Sequence, residues 1–377
     1  MTSTSLYVHV PFCRTKCAYC DFYSLPVAFN DAQLFNQYNK KLINDAQRLF
    51  DFAKPSLVPT LYIGGGTPSL LGAVEITYLI CNLLKIINSY SPPPVEITLE
   101  VNPESIDEEF LDAVKRSGVT RLSLGIQSFY TPSREKVNRI GSDKLLHSAL
   151  SMVSEYYKNS FSIDLISGLP LQNKKIILED IDLSLSYSPV HVSLYALTVE
   201  ESSPLFSSKD ITFAAGDEAD DLWLTGRDAL IKAGLNQYEV SNFCTKGNES
   251  LHNIRYWQMR SWHALGPSAS GTIIMGKDDA FRYTHPSDME LFNSNNNIYP
   301  NREIIGRNDL IKETMLMGFR YIEGPDAELF RKRFFKCIED TIPVTLKKWN
   351  NFLQKDKIAL KEEALLLLNP FLLDAFT

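Results

Sequence analysis

Three cysteines lie close together near the start of this chain. Cys13, Cys17 and Cys20 have the spacing C-x3-C-x2-C, which lets one short loop surround a single metal centre. A closed structural site uses four protein ligands, so three thiolates leave a coordination position open for a substrate or cofactor. The spacing favours an iron–sulfur cluster. It leaves open a zinc ion completed by a distant cysteine or histidine, or three free thiols.

The other cysteines, Cys81, Cys244 and Cys337, are scattered, and we interpret them as packing residues. Six cysteines in 377 residues are too few for a disulfide scaffold, so the clustered thiols indicate metal binding in a reducing compartment. The sequence has no run of about 18 or more apolar residues and no secretory signal pattern, so we predict a cytoplasmic protein. Its formal net charge of -7 argues against a nucleic-acid partner.

The elements that must position the cysteines alternate between strands and helices. Short apolar runs predict six strands, at residues 6–10, 60–63, 95–101, 121–126, 161–166 and 191–197. Helical spacing lies between them, as at residues 31–50, 69–88, 105–116 and 143–157. This alternation predicts an α/β fold with a parallel sheet, and six such units predict a partial (β/α)6 barrel.

The alternation stops after about residue 240. An aromatic and polar stretch, a glycine-serine turn region and an asparagine-rich loop follow, and helical patterns return from Asp309. We therefore predict three regions: a barrel core at residues 1–240, a connecting region at 241–305 and a small helical or winged-helix-like module at 306–377.

Polar and glycine-rich residues follow the predicted strands. The cysteines come after the first strand, residues 64–68 after the second and Glu100 at the end of the third, with Gln127 after the fourth. Parallel α/β folds place their sites at the carboxyl ends of the strands, so one cleft is predicted to collect these residues.

Each of these residues also has a purely structural interpretation. Residues 64–66 could form a tight strand-to-helix turn without a ligand, and Glu100 could be the solvated end of a strand. Taken singly, Gln127, Arg139 and Asp164 could be structural polar groups with satisfied hydrogen bonds.

The cysteine spacing, with Tyr19 directly before the last cysteine, resembles the signature of the radical S-adenosylmethionine (SAM) superfamily. This resemblance implies a 4Fe-4S cluster on Cys13, Cys17 and Cys20, with SAM bound at the open iron. In that superfamily reductive cleavage of SAM yields a 5'-deoxyadenosyl radical, and the protein positions and shields the cofactor. An electron donor such as flavodoxin or ferredoxin is then implied as a partner.

Longer stretches narrow the resemblance to the HemN/HemW family and extend over nearly the whole chain. They are Y-V-H-V-P-F-C at 7–13, G-G-G-T-P at 64–68, E-V-N-P at 100–103, L-G-I-Q-S at 124–128, D-L-I-S-G-L-P at 164–170 and H-V-S-L-Y at 191–195. The resemblance implies that Gly65, Gly66 and Thr67 line the methionyl end of SAM and that Glu100 holds its ribose hydroxyls. Cofactor contacts are also implied for Tyr7, Tyr19, Gln127, Arg139 and Asp164.

A further motif, H-N-I-R-Y-W at residues 252–257, resembles the HN-x-x-YW sequence associated with haem binding in one branch of this family. A neutral imidazole can be an axial iron ligand, so the resemblance implies His252 as a haem-binding residue. Without this resemblance, a single histidine in a polar loop would be interpreted as a surface or hydrogen-bonding residue. Two positions depart from the family: Ser250 replaces a frequent cysteine, and Gly141 replaces a histidine two residues after Arg139.

Two features separate the haem-chaperone branch from the oxidase branch. The oxidase branch has a further cysteine where this chain has Phe22, and it carries an amino-terminal extension, whereas here the first predicted strand begins at Leu6. Both favour a chaperone that binds haem and delivers it to acceptor proteins, without coproporphyrinogen oxidase activity. The alternative is an oxygen-independent coproporphyrinogen III oxidase, and another radical SAM activity stays open. Haem or porphyrin and haem-acceptor proteins are the expected partners, with room for a homodimer and for peripheral membrane association.

Overall fold

A twelve-stranded sheet forms the framework of the protein. The computed structural model describes residues 3–27, 31–208, 211–276 and 279–376, and the twelve strands lie within them. In chain order they are β1 (Ser5–Val10), β2 (Thr60–Gly65), β3 (Glu96–Val101), β4 (Arg121–Gln127), β5 (Phe161–Ser167), β6 (His191–Ala196), β7 (Asn236–Gln237), β8 (Asn242–Cys244), β9 (Trp262–Leu265), β10 (Ser270–Met275), β11 (Asp279–Thr284) and β12 (Glu303–Ile305). A separate two-stranded pair joins Phe12–Cys13 to Leu25–Pro26.

Helices cover the outer face of the sheet and build the carboxyl-terminal part. They are α1 (Ala32–Ala53), α2 (Gly72–Asn88), α3 (Glu108–Arg116), α4 (Thr131–Lys136), α5 (Asp143–Tyr156), α6 (Lys174–Ser186), α7 (Asp217–Lys232), α8 (Leu251–Trp257), α9 (Met289–Ser294), α10 (Arg307–Gly318), α11 (Ala327–Phe334), α12 (Ile338–Thr341), α13 (Pro343–Lys348) and α14 (Leu368–Phe376). Polar side chains fix several helix starts. The Asp107 carboxylate, for example, accepts a hydrogen bond from the backbone amide of Phe110 at 2.8 Å.

The predicted β-α units are confirmed. Strands β1 to β6 lie side by side in chain order, and each is parallel to the next. Among the described residues no pairing joins the two ends of the sheet, whereas residues at the carboxyl ends of all these strands, or just beyond them, line one cavity. The parallel strands therefore curve into a partial (β/α)6 barrel.

Residues beyond 240 add strands to both edges of the same sheet. Strand β9 pairs in parallel with β1, with Trp262 opposite Ser5, and β10 to β12 continue from it as an antiparallel extension. At the other edge β8 is antiparallel to both β6 and β7. Residues 241–305 thus extend the sheet as well as connect it to the terminal helices, and the three-region division stays a prediction.

Alternation along the parallel strands separates an apolar outer layer from a polar interior. Leu61 and Ile63 of β2 and Leu122 of β4 belong to the core that the surrounding helices cover. Each such side chain contributes about 1.5–3 kcal/mol when fully buried. Tyr62 and Ser123 occupy the alternate positions and make polar contacts inside the barrel. The same strands therefore build a stable shell and a polar lumen.

Helix α2 and the turn before it are strongly apolar. By length and composition, Pro68–Asn88 is one segment that could cross a membrane. In the structure its residues Ile76, Leu79, Leu83 and Ile87 are buried in the main core against the sheet and neighbouring helices. Such packing is that of a core helix.

Helix α8, which carries the H-N-I-R-Y-W motif, lies at the amino-terminal end of the barrel. The backbone amides of Leu251 and His252 donate to the two carboxylate oxygens of Glu96 at 2.9 and 2.8 Å. Arg255 Nε donates to Ser5 Oγ at 2.6 Å. Glu96 and Ser5 are the first residues of β3 and β1. This helix therefore closes the barrel end opposite to the cysteine loop.

The carboxyl-terminal part is helical, in agreement with the sequence prediction. Helices α10 to α14 surround a second core that also receives residues from the antiparallel extension of the sheet, such as Ala280 and Ile305. It includes a group of aromatic rings: Phe319 and Trp349 both pack edge-on against Phe371, with ring centroids 4.6 and 5.5 Å from that of Phe371.

A buried carboxylate ties the loop after β4 to helix α6. The register of β4 shifts between Gly125 and Gln127, and Gln127 has a left-handed backbone with φ of 70°. Asp180 of α6 accepts hydrogen bonds from Ser128 Oγ at 2.7 Å and from the Phe129 amide at 2.6 Å. Burial raises the pKa of Asp180 to about 6. The loop that presents Gln127 thus depends on a carboxyl whose ionised form is unfavourable in the fold.

We expect Asp180 to make the protein less stable as the pH rises through the acid range. Its folded-state pKa of about 6 lies above the ordinary value of 3.8, so the folded state binds this proton more tightly than the unfolded state. The protonated carboxyl makes its full contribution to the free energy of unfolding below about pH 4. This contribution falls as the pH rises to about 6, and the total loss is at most about 3 kcal/mol. Asp180→Asn should remove this loss, so the unfolding free energy of the variant, relative to wild type, should rise between these pH values in urea titrations.

Asp182→Asn is the matched control, because Asp182 is an exposed acid on the same helix. Its unfolding free energy should follow that of wild type at every pH. If the unfolding free energies of Asp180→Asn and wild type differed by the same amount at every pH in this range, Asp180 would not titrate in this way.

Candidate metal centre and cofactor cavity

A cavity of about 360 Å³ opens at the carboxyl ends of the parallel strands. This volume is sufficient for a cofactor of nucleoside size. All the predicted site residues except Tyr7 and His252 line it: Cys13, Cys17, Cys20, Tyr19, Gly65, Gly66, Thr67, Glu100, Gln127, Arg139 and Asp164. Residues spread over more than 150 positions of sequence are thus brought to one place, as the strand-end argument predicts.

The cysteine loop is held at its start and in its middle by backbone hydrogen bonds. Cys13 lies in the short strand paired with Leu25–Pro26, and its carbonyl accepts from Val27 N at 2.9 Å. In the middle of the loop, Ala18 N donates to Val137 O at 2.9 Å. Cys17 is buried, whereas Cys13 and Cys20 are half-buried and face the cavity. The loop presents its thiols to the cavity without needing a disulfide.

The thiol arrangement fits a cluster better than a single metal ion. Among the described residues, no three histidine, cysteine or acidic side chains stand close enough together to hold one ion. A 4Fe-4S cluster binds each cysteine through a different iron, so its ligands stand farther apart than those of a zinc ion. Burial raises the pKa of Cys13 and raises that of Cys20 to about 11, so binding must release thiol protons.

The turn after β2 docks tightly on the cysteine loop. Gly66 N donates to Val10 O and Thr67 N donates to Phe12 O, both at 2.7 Å. A Cβ atom on Gly66 would lie 2.7 Å from the Phe12 carbonyl oxygen, so only glycine permits this approach. Thr67 Oγ1 also donates to Cys13 Sγ at 3.7 Å. The structural interpretation of this turn is therefore satisfied, and its contact with a cofactor stays a prediction.

Glu100 is held with its carboxylate at the cavity wall. Its Oε1 accepts from Tyr62 Oη at 2.7 Å, and its Oε2 accepts from Gly65 N at 3.0 Å. A Cβ atom on Gly64 would lie 2.7 Å from the carboxyl carbon, so this glycine near the end of β2 makes room for the carboxylate. Burial raises the pKa of Glu100 to about 7. A polar ligand that donates hydrogen bonds from its hydroxyl groups would offset the free-energy cost of burying the Glu100 carboxylate.

Asp164 offers an unused acceptor at the cavity wall. Ser123 Oγ donates to its Oδ2 at 2.8 Å, but Oδ1 is buried and has no hydrogen-bond partner in the described part of the chain. Burial raises the pKa of this carboxyl as well. An unsatisfied buried oxygen beside a cavity is the feature expected where a ligand donates a hydrogen bond.

Arg139 brings a positive charge to the cavity. Its Nη2 donates to Asn102 Oδ1 at 2.9 Å and to the Gly125 carbonyl. Burial alone would lower the pKa of Arg139, but Tyr19, Glu104 and the Cys17 thiol raise it more, so the guanidinium stays charged. It is placed to balance the negative charge of thiolates or of a ligand carboxylate.

Two useful residues were missed by the sequence analysis. Asn102 lines the cavity and joins Arg139 to Thr67, because its Nδ2 donates to Thr67 Oγ1 at 2.9 Å. Its position just after Glu100 at a strand end was the available signal. Tyr62, the donor to Glu100, lies inside an apolar strand, and its sequence context resembles that of an ordinary core residue.

Tyr7 and His252 do not line the cavity. Tyr7 Oη is hydrogen-bonded to His9 Nδ1 at 3.0 Å. His252 is 1% exposed, and its ring nitrogens are bonded to Thr60 Oγ1 at 2.8 Å and to Tyr256 Oη at 2.9 Å. Burial lowers the pKa of His252 to about 3, so the ring is neutral. With both nitrogens occupied, ligation of haem iron by His252 stays a prediction that requires these bonds to break.

Comparisons with known proteins identify the family of the chain. The sequence profile of the radical SAM superfamily matches residues 7–184. Heme chaperone HemW of Haemophilus influenzae is 33% identical over 287 residues, which cover 75% of this chain and 74% of that protein. Radical S-adenosyl methionine domain-containing protein 1, mitochondrial, of Mus musculus is 31% identical over 330 residues, covering 85% and 73% of the two chains.

Among solved structures, coproporphyrinogen III oxidase (HemN) of Escherichia coli superposes with a TM-score of 0.80 at 20% identity, covering 100% of this chain and 90% of that one. At this identity the likeness shows a shared fold. The chain belongs to the HemN/HemW family of the radical SAM superfamily, and within it the sequence similarity is to HemW members.

Proposed function

We propose that the protein is a haem chaperone of the HemW type, which binds a 4Fe-4S cluster, SAM and haem and delivers haem to acceptor proteins. One observation carries the proposal: three thiols and the polar strand-end residues share one cavity, in a chain whose relatives are named heme chaperones. The cavity supports cluster and SAM binding, and the relatives support the haem function.

The proposed cofactor site divides the cavity between two groups of residues. Cys13, Cys17 and Cys20 would hold the cluster, which supplies an iron with an open position and electrons for SAM. The turn at Gly65 and Gly66 would admit the methionyl part of SAM close to the cluster. Thr67, Glu100, Asp164 and Arg139 would provide its polar contacts.

Phe22 favours the chaperone over the oxidase. This residue lines the cavity next to the cluster loop and is 60% exposed, where the oxidase branch has a thiol. Tyr195, 43% exposed, lines the cavity as well. Two accessible aromatic rings at a cavity edge suit a flat apolar macrocycle, so we propose this edge as a haem contact. Acceptor proteins and an electron donor would approach on the same side, where the cysteine loop is exposed.

We expect each of the variants Cys13→Ala, Cys17→Ala and Cys20→Ala to lose the cluster. Three thiolates are needed for three irons, so removal of any one leaves an unliganded iron. The measurement is iron and acid-labile sulfide per chain after anaerobic reconstitution, together with the visible absorbance of the cluster. Cys81→Ala is the control, since Cys81 is exposed on α2. Full iron and sulfide in all three variants would falsify the cluster assignment.

We expect the reconstituted wild-type protein to bind haem tightly and to leave coproporphyrinogen III unchanged. The assay contains reductant and SAM under anaerobic conditions; one sample follows loss of coproporphyrinogen III and a second follows the Soret absorbance of added haem. Transfer of the bound haem to an apo-haem protein is then measured as a difference spectrum. Formation of vinyl product would instead establish the oxidase alternative.

A further inference from the structure

The two predicted residues outside the cavity, Tyr7 and His252, flank the same side chain. The Tyr62 ring contacts both, with its centroid 6.1 Å from that of the Tyr7 ring and 5.0 Å from that of the His252 ring. These two ring contacts restrict the rotation of the Tyr62 ring. The hydroxyl at its tip reaches the cavity wall, where it donates to Glu100 Oε1 at 2.7 Å.

The Tyr62 hydroxyl is held as a hydrogen-bond donor. Burial and the nearby Glu100 carboxylate raise its pKa well above the ordinary value, so it stays protonated. When Glu100 is ionised, this donor makes a charge-assisted hydrogen bond, which is stronger than a neutral one and fixes the direction of the acceptor. Glu100 Oε2 is fixed in turn by Gly65 N at 3.0 Å. These two hydrogen bonds thereby fix the orientation of the Glu100 carboxylate and of its remaining lone pairs.

His252 is in turn fixed by the amino-terminal end of the barrel. Thr60, the first residue of β2, bonds its Nδ1, and Tyr256 bonds its Nε2. The backbone amide of His252 is anchored to Glu96 at the start of β3. A continuous series of contacts therefore runs from helix α8 through His252 and Tyr62 to Glu100.

We propose that Tyr62 is a positioning residue for SAM, which orients Glu100, and that the H-N-I-R-Y-W helix acts on the SAM site by holding Tyr62 through His252. This inference rests on the proposed SAM site and assigns the motif a role in the barrel interior. It also gives Tyr7 a supporting role, since the Tyr7 ring packs against the Tyr62 ring.

The first test is the variant Tyr62→Phe, which keeps the ring and removes only the hydroxyl. In the full chain with a reconstituted cluster, we expect the Kd for SAM to rise about tenfold, the effect of losing a hydrogen bond to a charged group. Iron and sulfide content should equal those of wild type. In electron paramagnetic resonance, the spectral change that SAM causes in the reduced cluster should need higher SAM concentrations to reach its full extent.

Tyr283→Phe is the matched control. Tyr283 is a buried tyrosine of the same sheet, and its hydroxyl bonds the Ala264 backbone away from the cavity lining. Its loss should reduce thermal stability without changing the Kd for SAM. Combining Tyr62→Phe with Glu100→Gln tests the route of the effect. If Tyr62 acts through Glu100, Tyr62→Phe should change the Kd for SAM much less in the Glu100→Gln variant than in wild type.

The role of helix α8 is tested with His252→Phe, which keeps an aromatic ring and removes both ring nitrogens. We expect a rise in the SAM Kd of about threefold in the otherwise wild-type chain and little further rise when His252→Phe is added to Tyr62→Phe, because both changes act through one hydroxyl. Loss of haem binding with a wild-type SAM Kd would assign His252 to haem and overturn this role of α8.

The outcomes separate this inference from the proposed function. If wild type with a full cluster binds no SAM, the proposed function fails and this inference fails with it. If wild type binds SAM and Tyr62→Phe binds it equally well, only the positioning role of Tyr62 is wrong.

Discussion

The approach of the β2 turn to the cysteine loop is the contact on which the rest of the site depends. Two backbone hydrogen bonds of 2.7 Å join Gly66 and Thr67 to the carbonyls of Val10 and Phe12. They fix the residue just before Cys13 and leave no space for a side chain at Gly66. Together with the hydrogen bond from Ala18 N to Val137 O, this docking places the cysteine loop against a rigid strand end. The position of the thiols is thus set by the barrel.

The polar interior of the barrel is the second constraint. Parallel sheets are usually covered on both faces by apolar packing. Here the inner positions instead hold tyrosines, serines and carboxyls such as Glu100 and Asp164, which satisfy one another or face the cavity. The apolar core on the outer face provides the stability that these groups do not. A lumen of this kind can fix charged groups near a cofactor, because each has a defined partner.

Strand-end residues were the predictable part of the structure. Period-two apolar runs located β1 to β6, and parallel topology then required the cysteines, the glycine turn, Glu100 and Gln127 to converge. Short strands such as β9 were not predicted, because four residues that pair with β1 carry no periodicity of their own. The placement of His252 was likewise not accessible. A motif describes which residues recur together, and it does not state at which end of a barrel they lie.

The pairing of β1 has a consequence for the order in which the protein assembles. This strand carries the cluster loop and lies between β2 and β9, so one neighbour follows about fifty residues later and the other only at Trp262–Leu265. The contact between Ser5 and Arg255 spans 250 positions. During synthesis the cysteines therefore emerge long before the strand beneath them is flanked on both sides. The site proposed for the cluster therefore becomes settled only late in folding, after most of the chain has left the ribosome.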